Sequence, residues 1–173
     1  MKVIGLMSGT SIDGIDAALT EISGDAENIQ LELLGFHTYP YPPSLRQELL
    51  NLCAGKAIAV EQFANIDDQV AKTFVMAAIK LQKQFGKADL IGSHGQTIFH
   101  RPPQNNLGFS WQIGRGEVIA QLSELPTVSD FRRADIATGG QGAPLVPKVD
   151  AYLLAHPTKH RCVQNLGGIG NVT

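Results

Sequence analysis

The chain has 173 residues, 43% of them hydrophobic, with 14 Lys and Arg against 16 Asp and Glu for a net charge of -2. That length suits one domain, or one and the beginning of another. The near-neutral charge offers no basic face for nucleic acid, and no apolar run reaches the roughly 18 residues of a membrane-spanning helix. The N-terminus lacks the apolar region of a signal peptide, so a cytoplasmic protein is expected, with no membrane partner. Cys53 and Cys162 form no CxxC pattern and read as two unpaired structural thiols of a reducing compartment.

Lys2–Met7 and Ile15–Ser23 read as strands joined by a polar turn, and Gln30–Tyr39 is a third apolar run after the turn signal Ser-Gly-Asp at 23–25. Pro42 and Pro43 break the sheet. Ser44, with Gln47 three residues on, has the spacing of a capping box and predicts a helix toward Cys53. Phe63, Ile66, Val70, Phe74, Ala77 and Leu81 recur at three- and four-residue steps, which predicts a long helix over Val60–Phe85 ended by Gly86. That stripe is core packing.

Asp89–Ser93 reads as a short strand that releases His94, Gln96 and Thr97 at its end. Phe109–Ile113 is another strand, Glu117–Leu122 a helix and Thr127–Ser129 a strand, an alternation that predicts parallel strands with helical crossovers. Residues 130–141 are polar and glycine-rich. Pro144–Leu154 reads as a helix that leaves apolar surface exposed, Arg161–Gln164 as a strand, and residues 165–171 as a second glycine-rich turn before a strand at Val172 and Thr173. A stop just after that turn is expected of a fragment of a longer protein.

The opening Gly5–Asp16 segment carries the strongest chemical signal. A bend of Gly, Ser, Thr and Asp after an apolar strand exposes backbone N–H groups and small hydroxyls in an arc suited to phosphate oxygens. A hairpin turn alone needs only Asp13-Gly14, so Ser8, Gly9, Thr10 and Ser11 are surplus to it. Asp13 and Asp16 are candidates to orient the hydration shell of Mg²⁺, with Asp13 equally suited to capping the turn. No GxxxxGK[ST] occurs, and Gly114-Arg-Gly116 lacks the third glycine of a dinucleotide fingerprint. His37, His94, His100, His156 and His160 are not spaced as zinc ligands.

Two further segments are candidates. Hydroxyl, amide and imidazole groups on Ser93–Thr97 suit sugar hydroxyls. Residues 130–141 follow a strand's C-terminal end, where open α/β sheets place ligands, and Arg132 or Arg133 suits a substrate carboxylate or phosphate, although pairing with Asp130 and Asp135 would make them a solvated charge cluster. Residues 165–171 would hold the other side of a nucleotide, or form a simple hairpin.

Met-Ser-Gly-Thr-Ser-Ile-Asp-Gly-Ile-Asp at 7–16 resembles the opening of anhydro-N-acetylmuramic acid kinases. So do Gly-Ser-His-Gly-Gln-Thr at 92–97, Gln-Ile-Gly at 112–114, Asp-Phe-Arg-Arg at 130–133, Gly-Gly-Gln-Gly-Ala-Pro-Leu-Val-Pro at 139–147 and Asn-Leu-Gly-Gly at 165–168. The resemblance covers the N-terminal half of that family, a branch of the sugar kinase, actin and Hsp70 group. It implies an α/β fold: a ribonuclease H-like lobe (β-β-β-α-β-α-β) over 1–129, and the beginning of a second such lobe over 130–173.

The resemblance further implies ATP and Mg²⁺ as cofactors and a small amino sugar as substrate. The reaction would be hydrolysis of the 1,6-anhydro bond with phosphorylation of O6, giving N-acetylmuramic acid 6-phosphate in cell-wall recycling. Carried over by motif, Gly9, Thr10, Ser11, Ile12, Asp13, Gly14, Ile15 and Asp16 would bind ATP, with Asn165, Gly167, Gly168 and Asn171 forming a second phosphate turn. His94, Gln96, Thr97, Asp130, Arg132, Arg133, Gln141 and Gly142 would lie at the sugar. Met7 stands where the wider group has an Asp, so Asp13 would serve the metal. The expected catalytic base falls in a Gly-x-Asp-x-Gly-Pro-Gly-Asn segment beyond Thr173. Two other readings stay open, a non-catalytic half-kinase that binds nucleotide or sugar and another sugar kinase of the same superfamily. So does the choice between monomer and homodimer.

Overall fold

The computed structural model describes residues 1–25, 28–104, 106–166 and 171–172. Strands β1 (Lys2–Ser8), β2 (Ile15–Ser23) and β3 (Gln30–Tyr39) form an antiparallel meander. Two helices follow, α1 (Pro43–Cys53) and α2 (Val60–Phe85). The chain then re-enters the sheet as β4 (Leu90–Arg101), turns back as β5 (Phe109–Ile113), crosses through α3 (Gly116–Ser123) and returns as β6 (Thr127–Ser129). The sheet order is β3-β2-β1-β4-β5, and β6 also pairs with β4. The first half of β4 lies parallel to both β1 and β6, while its second half is antiparallel to β5. This is the mixed α/β architecture expected from the opening three strands and the crossovers. β5 is the exception to the parallel expectation, because it closes a hairpin on the distal half of β4.

One face of the sheet makes the core. Ile4 and Leu6 of β1, Ile15, Ala17 and Leu19 of β2, and Ile91 of β4 alternate inward. They join Ile66, Val70, Phe74, Ala77, Ala78 and Leu81 of α2 and Ile119 of α3, all buried. α2 thus has the boundaries and the buried stripe that its periodicity predicts, with Phe63 half-buried at its start against the Trp111 ring, 4.8 Å between centroids. Gly86 ends it, donating its N–H to Gln82 O. The opposite face carries Met7, Leu33, Phe36 and Val128, all exposed.

Four expectations are corrected. The Ser44/Gln47 capping box does not form. α1 starts at Pro43, whose missing N–H removes one of the unpaired donors of a first turn, and Gln47 bonds Asn51 instead. β4 does not stop at Ser93 but runs twelve residues, because a bulge lets the strand continue. The helix expected from Pro144 begins instead at Pro147 (α5, Pro147–Leu154), a proline at the first helical position, and residues 141–145 lie outside any helix or strand. Its Val146, Val149, Tyr152 and Leu153 are exposed, as anticipated. Of the strand expected over 161–164, only Gln164 is paired: β7 (Gln164–Asn165) bridges β8 (Asn171–Val172). The polar segment after β6 also contains a short helix, α4 (Arg133–Ala137), that its composition does not announce. Cys53 and Cys162 are free and exposed.

Candidate active site

The β1–β2 connection is a loop of six residues, Gly9 to Gly14, held from behind. Ile12 donates its N–H to Gly9 O at 3.2 Å and buries its side chain while adopting φ 54°. A β-branched residue in the left-handed region is strained by about 1–3 kcal/mol, and such strain persists only where the surroundings over-determine it. Here the determinants are visible. Arg46 Nε of α1 donates to Ile12 O at 2.8 Å, the buried Ser8 hydroxyl donates to Gly14 O at 2.8 Å, and Gln96 Nε2 of β4 donates to Gly9 O at 3.1 Å. Gly14 is required where it stands, because a Cβ there would lie 2.7 Å from Tyr39 O.

Three loop carbonyls are therefore tied inward, and the hydroxyls of Thr10 and Ser11 stay exposed with no partner among the described residues. The Ile12 and Ile15 side chains are buried, and the Ile12 N–H and C=O are both engaged within the fold, so Ile12 shapes the loop and offers an anion nothing.

The donor set fits a phosphate group: two free hydroxyls on a loop whose carbonyls point away from them. For a metal, the turn supplies Asp13, exposed at 74% and 3.5 Å from Arg46 Nη2. The Asp16 carboxylate is engaged by the Thr38 hydroxyl at 2.6 Å. Among the described residues no group of three His, Cys, Asp or Glu converges. One exposed carboxylate fits an ion such as Mg²⁺ that keeps several waters and is held mainly by phosphate, and does not make a protein cage.

The second cluster lies one strand over. The β1–β4 register shifts so that Leu6 pairs Ser93 and Met7 pairs Gly95, which leaves His94 as the extra residue of a bulge. Gly95 takes φ 75°, and a Cβ on it would meet Ile113 O at 2.5 Å. The bulge re-aims His94. Its Nδ1–H donates to Gly95 O at 3.0 Å, and its Nε2 accepts from Arg132 Nε at 3.0 Å and Nη2 at 2.7 Å. Burial, followed by the neighbouring guanidinium, lowers the His94 pKa against an opposing contribution from Gly95 O, so the imidazole is neutral in this arrangement. Burial also lowers that of Arg132.

Arg132 Nη1 donates in turn to Gly142 O, and Gly142 N–H is fixed on Asp135 Oδ2 at 2.7 Å. His94, Arg132 and Gly142 thus form one half-buried unit spanning β4 and residues 130–142. Beside it runs a polar ladder across β4 and β5, in which Gln112 Nε2 donates to Thr97 Oγ1 and Ser110 Oγ, and Ser110 Oγ contacts His100 Nδ1 at 3.1 Å.

The remaining candidates separate from that unit. Arg133 is 71% exposed and pairs with Asp130 at 3.3 Å, the charge cluster weighed above, and Gln141 is exposed. Gln96 does not face a cleft: it is fully buried, donating to Gly9 O and Thr97 O and accepting from Tyr41. Of the second phosphate turn, Gly167 and Gly168 lie outside the described residues, and Asn165 and Asn171 are described only as paired backbone. Tyr41 and Arg46 were not anticipated, Gln112 entered only as part of a family motif, and Asp135 only as a charge partner of Arg132 or Arg133. The partners of Tyr41 and Arg46 are 55 and 34 residues away, Gln112 reaches across to Thr97 on the neighbouring strand, and Asp135 bonds into a loop that carries no periodic signal.

The sequence pattern of the anhydro-N-acetylmuramic acid kinase family matches residues 1–173. Curated relatives of that name include proteins from Picosynechococcus sp., 69% identical, and Microcystis aeruginosa, 60% identical, each alignment covering all of this chain and 46% of the relative. A third, from Crocosphaera subtropica, is 55% identical over the whole chain and 45% of its own length. The chain spans about half the length of the curated relatives it matches. With its full length matched, the chain belongs to the anhydro-N-acetylmuramic acid kinase family.

Proposed function

We propose that the whole protein uses ATP to phosphorylate O6 of 1,6-anhydro-N-acetylmuramic acid while water opens the anhydro bond, yielding N-acetylmuramic acid 6-phosphate in peptidoglycan recycling. The observation that carries this reading is the loop at 9–14, whose carbonyls are tied back and whose hydroxyls are left free. Phosphoryl transfer asks the protein for charge neutralisation and in-line placement rather than covalent help. Thr10, Ser11 and the loop amides would receive the phosphates of ATP. Bound Mg²⁺ would supply further neutralisation, with Asp13 oriented toward its waters.

Arg132, pre-set by His94 and Gly142 O, would receive the lactyl carboxylate of the sugar, a task for which a planar guanidinium suits better than Lys. Thr97 and the ladder behind it would face sugar hydroxyls. Residues 1–129 would form the first lobe and 130–173 open the second, with the base that activates water supplied beyond Thr173. The protein would act in the cytoplasm.

The experiment is direct: supply the full-length gene product with ATP, Mg²⁺ and the anhydro sugar, and look for the 6-phosphate by mass spectrometry. Turnover dependent on Thr10 and Ser11 supports the reading. Absence of product, or turnover of unrelated hexoses in preference to the anhydro sugar, refutes it.

A further inference from the structure

Gln96 uses every polar atom of its side chain, and all of them on the framework between the two clusters. Its two amide hydrogens go to Gly9 O at 3.1 Å and Thr97 O at 3.0 Å, and its carbonyl accepts the Tyr41 hydroxyl at 3.2 Å. The residue is 0% exposed, and Tyr41 is 4% exposed. Gly9 opens the phosphate loop. Thr97 belongs to the β4 segment that carries His94 and the polar ladder. Tyr41 leads into α1, whose Arg46 holds the other end of the same loop at Ile12 O. One buried carboxamide therefore joins three pieces of chain, two of which face different substrates.

We propose that Gln96 is a positioning residue that couples the phosphate loop to the sugar-facing strand, with Tyr41 anchoring its amide oxygen. The physical argument is one of polarity. Gly9 O and Thr97 O are both acceptors, so the group between them must donate twice, and a carboxamide flipped by half a turn would set carbonyl against carbonyl. The Tyr41 hydroxyl gives its proton to the Gln96 oxygen and so holds the other end of the same amide. With the amide fixed, Gly9 O is drawn inward and the amides beyond it are free to face an anion. The same bonds set the direction of Thr97 relative to that loop. A shift at either substrate's segment is passed to the other through one rigid group.

The inference rests on the reading of the 9–14 loop as the phosphate site. In the full-length enzyme, Gln96→Met keeps the side chain's length and removes its hydrogen bonds. It raises KM for ATP and KM for the anhydro sugar together, each by about tenfold, since two buried carbonyls lose their donors. Tyr41→Phe keeps both bonds of the Gln96 NH2 group but leaves its buried oxygen without a donor, and raises both by about threefold. An enzyme that is merely less stable loses active fraction, so its kcat falls while both KM values stay put.

Thr10→Val is the control for the loop itself and raises KM for ATP alone. If a folded Gln96→Met enzyme keeps both KM values within about twofold of the parent, or moves only one of them, the coupling is wrong. Should Gln96→Met fail to fold, Tyr41→Phe decides on the same criterion. If Thr10→Val leaves KM for ATP unmoved, the phosphate-loop reading fails and the coupling falls with it. If Thr10→Val raises that constant while Gln96→Met is silent, only the coupling falls.

Discussion

Replacing Arg132 by Ala separates the two halves of the proposed site. Its guanidinium is half-buried and held by two bonds to His94 Nε2 and one to Gly142 O, so it is in position before any substrate arrives. A carboxylate about 4 Å away gains about 4 kcal/mol at an effective dielectric of about 20. Partial exposure reduces that to about 2 kcal/mol, which corresponds to about a 30-fold rise in KM for the anhydro sugar. Arg132 makes none of the bonds that shape the 9–14 loop, so KM for ATP should move by less than about threefold.

Initial-rate measurements with each substrate varied in turn give both constants. Arg132→Lys keeps the charge but cannot span His94 and Gly142 O with one planar fork, and should recover only part of the loss. Equal changes in the two KM values, or a change in kcat alone, would remove Arg132 from the sugar side.

Four further outcomes follow from the same geometry. Gly14→Ala drives a methyl group to 2.7 Å from Tyr39 O and should cost about 1–3 kcal/mol in denaturant unfolding while raising KM for ATP. Phe74→Ala empties the fully buried centre of α2 and should cost about 3–5 kcal/mol on the same assay with no selective effect on either substrate. Asp13→Ala should raise the Mg²⁺ concentration giving half-maximal velocity while leaving the unfolding midpoint unmoved, because its ion pair with Arg46 is exposed and contributes about 0–1 kcal/mol.

The fourth concerns pH. Burial holds the folded-state pKa of His94 below the ordinary imidazole value of about 6.5, so the unfolded chain binds the extra proton first. The stabilisation is fully present above about that value and is lost as pH falls through the window below it toward the folded pKa. His94→Gln should flatten this part of the stability profile. Burial and Arg132 also lower the pKa of His100, which leaves a residual slope, and an unchanged profile would contradict the neutral His94 acceptor.

What the sequence made legible was periodic. β2, β3, α2, β5 and β6 lie where apolar runs and flanking breakers put them, and α2 shows why most plainly, since its apolar stripe from Ile66 to Leu81 is buried. β4 was cut short because Gly95 and the polar residues around it interrupt the period, whereas the sheet absorbs them as a bulge. That same bulge aims His94, so the strand's apparent end and the site are one feature. Arg132 was legible as a cation just past a strand's C-terminal end. Its partners on His94 and Gly142 were not, since they join residues 38 and 10 positions away. Burial changes how Gln96 reads. An amide beside His and Thr looks like a sugar ligand until burial shows that all its bonds are spent on backbone and Tyr41. Tyr41 and Arg46 act on the loop from across the fold, which no local pattern encodes.

The most direct measurement is a structure of the full-length protein with a non-hydrolysable ATP analogue and Mg²⁺. The phosphoryl chain should rest against the loop at 9–14, with phosphate oxygens within about 3.2 Å of the Thr10 and Ser11 hydroxyls. Phosphates bound elsewhere, with that loop facing solvent as before, would contradict the account at its base.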